Sequence, residues 1–208
     1  MISSLNLPLI LVAALLAVAS PGPATLAIAN ASMTGGRRAG LALASGVSLG
    51  SWIWSVSAAF GLGAIMLANA WMFELIRYFG AGYLMYLALR SARSSLRPVK
   101  LVPDARQPQT LRAAFGKGLA LHLTNPKAIL FFGALYAIGM PRGATPLELL
   151  IIILAVGVQS TVIFHFYAWM FSSAKVTAGY LKLRRGFEAV FALAFAGASL
   201  RILTAKLQ

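Results

Sequence analysis

Cysteine is absent from the 208 residues, which excludes disulfides, thiolate metal ligands and thiol redox chemistry together. Acids are nearly absent as well: Glu74, Asp104, Glu148 and Glu188 stand against 18 Lys and Arg. Histidine occurs only as His122 and His165, a thin donor set for a metal with no thiol and no acid nearby. There is no His-Glu-x-x-His and no pair of carboxylates within one apolar segment, and Gly46-Val47-Ser48-Leu49-Gly50, though it spells Gly-x-Ser-x-Gly, lies inside a long apolar run rather than at a strand-to-helix turn and so makes no nucleophile elbow. The acids are expected at helix ends or in a linker. Neither a catalytic residue nor a metal is expected, and the chain does not read as an enzyme.

Polar sequence is scarce too. Charged residues make up 11% of the chain and hydrophobic ones 60%, more apolar surface than a soluble domain of this length can bury. The fold class this implies is all-α, a polytopic membrane protein. The formal charge of +14 lies in turns between apolar segments. Positive-inside topology explains it there, with anionic-lipid contact as a secondary effect; nucleic acid is not needed as a partner.

About 20 apolar residues cross the hydrocarbon core. On that ruler six segments emerge: Leu5–Met33, Leu41–Ala68, Trp71–Leu89, Ala113–Met140, Leu147–Phe171 and Gly186–Leu203. Residues 1–90 form one three-helix repeat, 91–112 a basic linker with Pro98, Pro103 and Pro108, and 113–208 a second repeat within a single transporter domain. An odd number of helices per repeat makes the second copy enter the membrane upside down, an inverted repeat. Arg37 and Arg38, the cluster from Arg90 to Lys117, and Lys175 to Arg185 place loops 34–40, 90–117 and 172–185 in the cytoplasm and both termini outside. Ala17-Val18-Ala19 resembles a signal-peptidase site. However, Met1 to Ser4 carries no Lys or Arg and the apolar run resumes at once, so the segment is expected to stay as a membrane helix.

Two breaks organise these segments. Ser20-Pro21-Gly22-Pro23 interrupts the first and Asn125-Pro126 the fourth. Pro21 and Pro23 have no N–H to offer the carbonyls of Ala17 and Ala19, and Pro126 none for His122. Such a gap survives in a bilayer only against protein or a wet cavity. Ser20-Pro21 and Asn125-Pro126 each read as a capping side chain followed by proline at the first helical position. Each would start a half-helix whose positive end suits a carboxylate near mid-membrane.

Lys127 follows the second break, ten residues after Lys117, which in a continuous helix is roughly 15 Å deep. A lysine there costs about 2.5–3.5 kcal/mol on insertion scales, so it should face a cavity or partner unless it snorkels to the interface. It could bind a substrate carboxylate or carry a proton. His165, ionisable inside the fifth segment, is the second candidate for proton coupling; His122 could be simply a packed polar group. Gly46, Gly50, Ser57 and Gly61, and Gly157, Thr161, His165, Ala168 and Ser172, recur at helical spacing. Such rows favour close helix packing over substrate contact. Ser48, Ser51 and Thr161 remain candidate hydroxyl partners for a substrate ammonium.

At these residues the chain resembles the lysine exporter and homoserine/threonine exporter superfamily of bacterial amino-acid efflux proteins. The resemblance rests on Ser20-Pro21-Gly22-Pro23, on Gly35-Gly36-Arg37-Arg38-Ala39-Gly40, and on Gly80-Ala81-Gly82-Tyr83-Leu84 with Tyr86-Leu87. Phe115, Gly118 and Asn125 to Phe132 complete it. It implies an inner-membrane exporter of amino acids driven by protons, with no bound cofactor and with a homodimer as one assembly it allows. Three departures stand out: serine replaces an acid near Gly50-Ser51, Ala137-Ile138 replaces Pro-Gln, and the fifth-helix acid is missing, with His165 nearby. The competing readings are a transporter of another small solute or ion, and a non-transporting membrane scaffold.

Overall fold

The computed structural model describes residues 7–68, 70–96, 110–139 and 144–204. Among them are eight helices: α1 Leu7–Ala19, α2 Pro23–Thr34, α3 Gly36–Ala68, α4 Ala70–Leu96, α5 Leu111–Leu123, α6 Pro126–Gly139, α7 Pro146–Met170 and α8 Ala174–Thr204. Pro98, Pro103 and Pro108 of the linker, with Arg97, Lys100, Asp104 and Arg106, lie outside the described residues, as does Arg142.

Both breaks fall where proline dictates. The α1 and α2 axes bend by 52°; α5 ends at Leu123 and α6 begins at Pro126. The first break differs from expectation in one respect, because Ser20 caps nothing. Gly22 is the N-cap of α2, extended at φ −163° and ψ −178°, with Pro23 opening the helix. A residue before proline is driven out of the α region, so the second proline moves the helix start two residues along. Asn125 behaves as read, its Oδ1 accepting the Lys127 N–H at 3.0 Å. The stretch from Lys117 to Lys127 is divided by this break, so the depth ruler of a continuous helix does not apply, and Lys127 is the second residue of a new helix.

Helix α3 is the hub, packing against α2, α5, α6 and α7, while α4 lies along α8 and α6. Glycine sets these distances. A Cβ on Gly46 would strike the Phe115 carbonyl, and one on Gly118 the Leu43 carbonyl, so α3 and α5 cross backbone to backbone. A Cβ on Gly157 would lie 2.6 Å from the Trp52 ring. The small-residue rows are therefore packing seams, apart from Gly61, beside which a Cβ would meet nothing, and exposed Ser57. Gly36, at φ +76°, makes the turn from α2 to α3 in the left-handed region that glycine tolerates.

Side-chain polarity runs opposite to that of a soluble bundle. On α7 the residues Leu147, Leu150, Leu154, Val158, Val162 and Phe166 form an exposed apolar stripe, while Ser20, Ser51, Ser55, His122 and Glu188 are buried. Apolar side chains outward and polar groups inward suit a lipid surround. Gly36–Gly61 of α3 and all of α7 are long and apolar enough to cross a membrane, and the bent α1–α2 pair qualifies as a third span. Helices α4 and α8 outrun their apolar segments: α4 continues to Leu96 and α8 begins at Ala174 rather than Gly186. Hydropathy stops at the first cluster of basic residues, whereas Lys and Arg are good helix formers.

Candidate functional site

The two breaks meet. Lys127, just inside α6, donates from Nζ to the Ser20 carbonyl at 3.1 Å and to the Ser20 hydroxyl oxygen. Ser20 Oγ donates in turn to the Ala17 carbonyl at 3.1 Å, and the Tyr167 hydroxyl donates to the Ala19 carbonyl at 2.8 Å. The two carbonyls stripped by Pro21 and Pro23 are thus met by the chain's own Ser20 and by Tyr167 of α7, while Lys127 of α6 meets the Ser20 carbonyl beside them. At the other break the His122 carbonyl accepts from the Asn125 N–H at 3.3 Å. The Tyr83 hydroxyl of α4 bonds the Lys127 carbonyl at 3.1 Å. Gly22 makes room for the lysine, since a Cβ there would sit 3.3 Å from Nζ.

Ser20, Gly22 and Lys127 form the wall between two chambers. The narrower, about 40 Å³, is lined on its far side by Ser51, His122, Asn125, Phe131, Phe132 and Phe164. The wider, about 160 Å³, is lined by Pro21, Pro23, Arg90, Ser94, Arg184 and Glu188. The first is mainly apolar with one imidazole, and the second is densely charged. In the narrower chamber Ser51 Oγ lies 3.0 Å from His122 Nε2, and His122 Nδ1 is buried without a partner among the described residues. In the wider one Arg184 Nη2 meets Glu188 Oε1 at 3.1 Å, and Ser94 Oγ donates to that same oxygen at 2.7 Å.

Of the residues singled out from the sequence, Ser20, Pro21, Gly22, Pro23, Asn125, Lys127 and Ser51 line these chambers, with Pro126 opening the helix that carries Lys127. Three stand elsewhere. Thr161 accepts from Trp52 Nε1 at 3.1 Å and donates to the Gly157 carbonyl at 2.8 Å, which locks α7 to α3. His165 lies between Ser45 Oγ at 3.0 Å and the Thr161 carbonyl at 2.8 Å, with neither chamber beside it. Ser48 is buried and lines neither chamber.

One expectation is overturned outright. Glu188 is not at a helix end: it sits well inside α8, 2% exposed, on the wall of the wider chamber that Lys127 also lines. The expected sixth segment starts at Gly186, which leaves Glu188 two residues from its end, whereas α8 begins twelve residues earlier at Ala174. The available signal was the Arg184–Glu188 spacing of four, which puts opposite charges on one helical face. Arg90, Ser94 and Tyr167 had no such signal, because only the packing of α4 and α7 brings them to the breaks.

The LysE type translocator family model matches residues 15–206. The chain is 24% identical to the threonine efflux protein of Escherichia coli K12, over 92% of its own length and 94% of that protein's. It is 23% identical to the threonine efflux protein of Salmonella typhi, with the same coverage. An uncharacterized membrane protein of Pseudomonas aeruginosa is 28% identical, over 90% of this chain and 89% of the other. No solved structure matches it.

Proposed function

The chain belongs to the LysE type translocator family, and from that premise we propose that it is a secondary-active exporter of small amino acids or close derivatives across the bacterial inner membrane. The observation that carries this reading is the Lys127–Ser20 contact, which ties the two helix breaks together at the boundary of two chambers. The threonine efflux proteins it resembles supply the first substrate to test.

In this reading a substrate carboxylate takes the place of the Ser20 oxygens on Lys127. Hydrogen bonds in which a partner is ionised are roughly twice as strong as neutral ones, so the carboxylate competes well against a carbonyl and a hydroxyl. The first turn of α2, which no side chain caps, offers N–H groups and a partial positive charge to the same anion. Releasing Ser20 from Lys127 unlinks the α1–α2 break from α6 and joins the two chambers, the kind of differential contact that can drive alternating access.

Topology follows the same logic. A broken pair followed by two long helices occurs twice, as α1–α4 and α5–α8, which supports six spans in two inverted repeats with loops 34–40, 90–117 and 172–185 in the cytoplasm. Arg90 and Arg184 then put the wider chamber on the cytoplasmic side. Proton coupling is assigned to Lys127 and His122, which share the narrower chamber, rather than to His165, which faces neither.

The test is efflux of a panel of labelled amino acids from everted vesicles or loaded cells, with and without a protonophore. Uncoupler-sensitive efflux of one class, L-threonine first, is the expected result. If no amino acid moves, the reading gives way to a transporter of another small solute.

A further inference from the structure

We propose that the wider chamber binds both charged ends of a zwitterionic solute, with Glu188 accepting its ammonium group and Arg90 with Lys127 taking its carboxylate. This rests on the amino-acid reading above and supplies what that reading lacks, an acceptor for the amino group.

Glu188 is 2% and Arg184 6% exposed. Both contacts that reach the carboxylate, from Ser94 at 2.7 Å and Arg184 at 3.1 Å, end on Oε1; among the described residues none reaches Oε2. An ionised carboxylate accepts at about four lone-pair positions, and a buried one left half-satisfied is costly. Arg90, exposed at the chamber wall, makes no hydrogen bond or ion pair among the described residues. Lys127 holds only the neutral oxygens of Ser20. Three cations thus surround one carboxylate. A purely cationic solute meets net repulsion, and a purely anionic one leaves Oε2 unmet; a zwitterion satisfies both sides.

The size agrees. A cavity of about 150 Å³ holds a benzene molecule, so about 160 Å³ suits a solute of similarly few non-hydrogen atoms, as a small amino acid is. Packing alone does not explain the pair, because hydrophobic residues of similar volume commonly replace a buried ion pair without loss of stability.

The experiment uses the purified full chain with three probes: L-threonine, its analogue with a hydroxyl in place of the ammonium (2,3-dihydroxybutyrate), and its decarboxylated analogue (1-amino-2-propanol). Binding is measured by calorimetry, and transport by counterflow in proteoliposomes. The unaltered protein should prefer L-threonine to each analogue by at least tenfold. Glu188→Gln should reduce the preference over the hydroxy acid to below threefold, and Arg90→Gln should do the same for the preference over the amine. Because Glu188→Gln leaves Arg184 buried without its partner, the double variant Arg184→Gln/Glu188→Gln is measured beside it, with melting curves as a check on folding. It should show the same loss of ammonium discrimination. Equal weakening toward all three probes in both variants, or unchanged discrimination, would make the pair a structural clip between α4 and α8 and overturn the inference. Retained amino-acid export with unchanged discrimination removes this inference alone. Failure of the unaltered protein to bind or export any amino acid removes the exporter reading and this inference with it.

Discussion

Lys127 and Ser20 lie 107 residues apart in the chain and meet at 3.1 Å. Each stands at a proline-made gap in a helix, and each supplies what the other gap lacks. The lysine brings donors to a stretch of backbone with too many acceptors, and the serine backbone gives a buried ammonium the oxygen it needs. A cation inside a membrane bundle requires such a partner. The contact therefore joins the two gaps, and in the exporter reading proposed above it is the place where a stronger acceptor would act.

Replacing Lys127 with methionine separates these roles. Methionine keeps the unbranched stem and drops the charge, removing an insertion cost of about 2.5–3.5 kcal/mol, so the amount of protein in the membrane should be unchanged or higher. Hydrogen bonds to a charged group contribute about 1.5–3 kcal/mol, so efflux should fall by roughly ten- to a hundredfold. Vesicle transport normalised to membrane protein measures both. Efflux at the unaltered rate would remove Lys127 from the mechanism.

Tyr167→Phe deletes the hydroxyl that meets the Ala19 carbonyl at 2.8 Å. Orphaning a buried acceptor costs about 1–3 kcal/mol in soluble proteins, while hydrogen bonds between membrane helices average only about 0.6 kcal/mol. The lower figure should dominate, because a loosened break can draw in water from the adjacent chamber. The expected result is a drop in melting temperature of about 1–2 °C, by the usual scaling for a domain of this size, with transport retained. A drop several times larger would mean that this bond, rather than Lys127, holds the break together.

What could be read from the sequence follows the range of the physics. A missing proline N–H acts within one turn, so both breaks were visible, and so was the cap at Asn125. The shift of the α2 start from Pro21 to Pro23 came from two prolines competing for one helix origin. Spacing identified the faces that carry Gly46, Gly157, Thr161 and His165 but not the helices they face. The Trp52 ring against Gly157 and Ser45 against His165 became evident only once α3 and α7 were packed. Glu188 was hidden for another reason: hydropathy measures how apolar a stretch is, and the basic residues from Lys175 to Arg185 concealed the first turns of α8, so that Glu188 stood at the start of the expected segment instead of inside the helix.

The α3–α5 crossing provides a paired test. Gly118→Ala would push a Cβ into the Leu43 carbonyl, an atom of rigid helix backbone, whereas Gly116→Ala, two residues earlier in α5, meets nothing within 4 Å. Overpacking of this kind costs about 1–3 kcal/mol. Gly118→Ala should therefore lower the melting temperature by several degrees and reduce the yield of folded protein, and Gly116→Ala should not. Equal behaviour of the two variants would mean that the helices do not cross at this register.

The two histidines can be told apart by what each has left to do. His165 has both ring nitrogens occupied, by Ser45 and the Thr161 carbonyl, and lies between α3 and α7. His122 uses Nε2 on Ser51, keeps Nδ1 without a partner among the described residues, and faces the chamber that Lys127 closes. A proton relay needs a group that reaches the path and has a nitrogen to spare. His122→Asn should therefore reduce efflux driven by an imposed pH gradient by at least tenfold while sparing counterflow, which needs no net proton movement. His165→Asn should change either rate by less than about twofold and act mainly on the melting temperature. Reconstituted vesicles with the amino acid identified by the panel allow both assays on one preparation. If the His165 variant loses gradient-driven efflux instead, protons pass through the α3–α7 contact, and the missing fifth-helix acid has been replaced in place rather than by a group across the bundle.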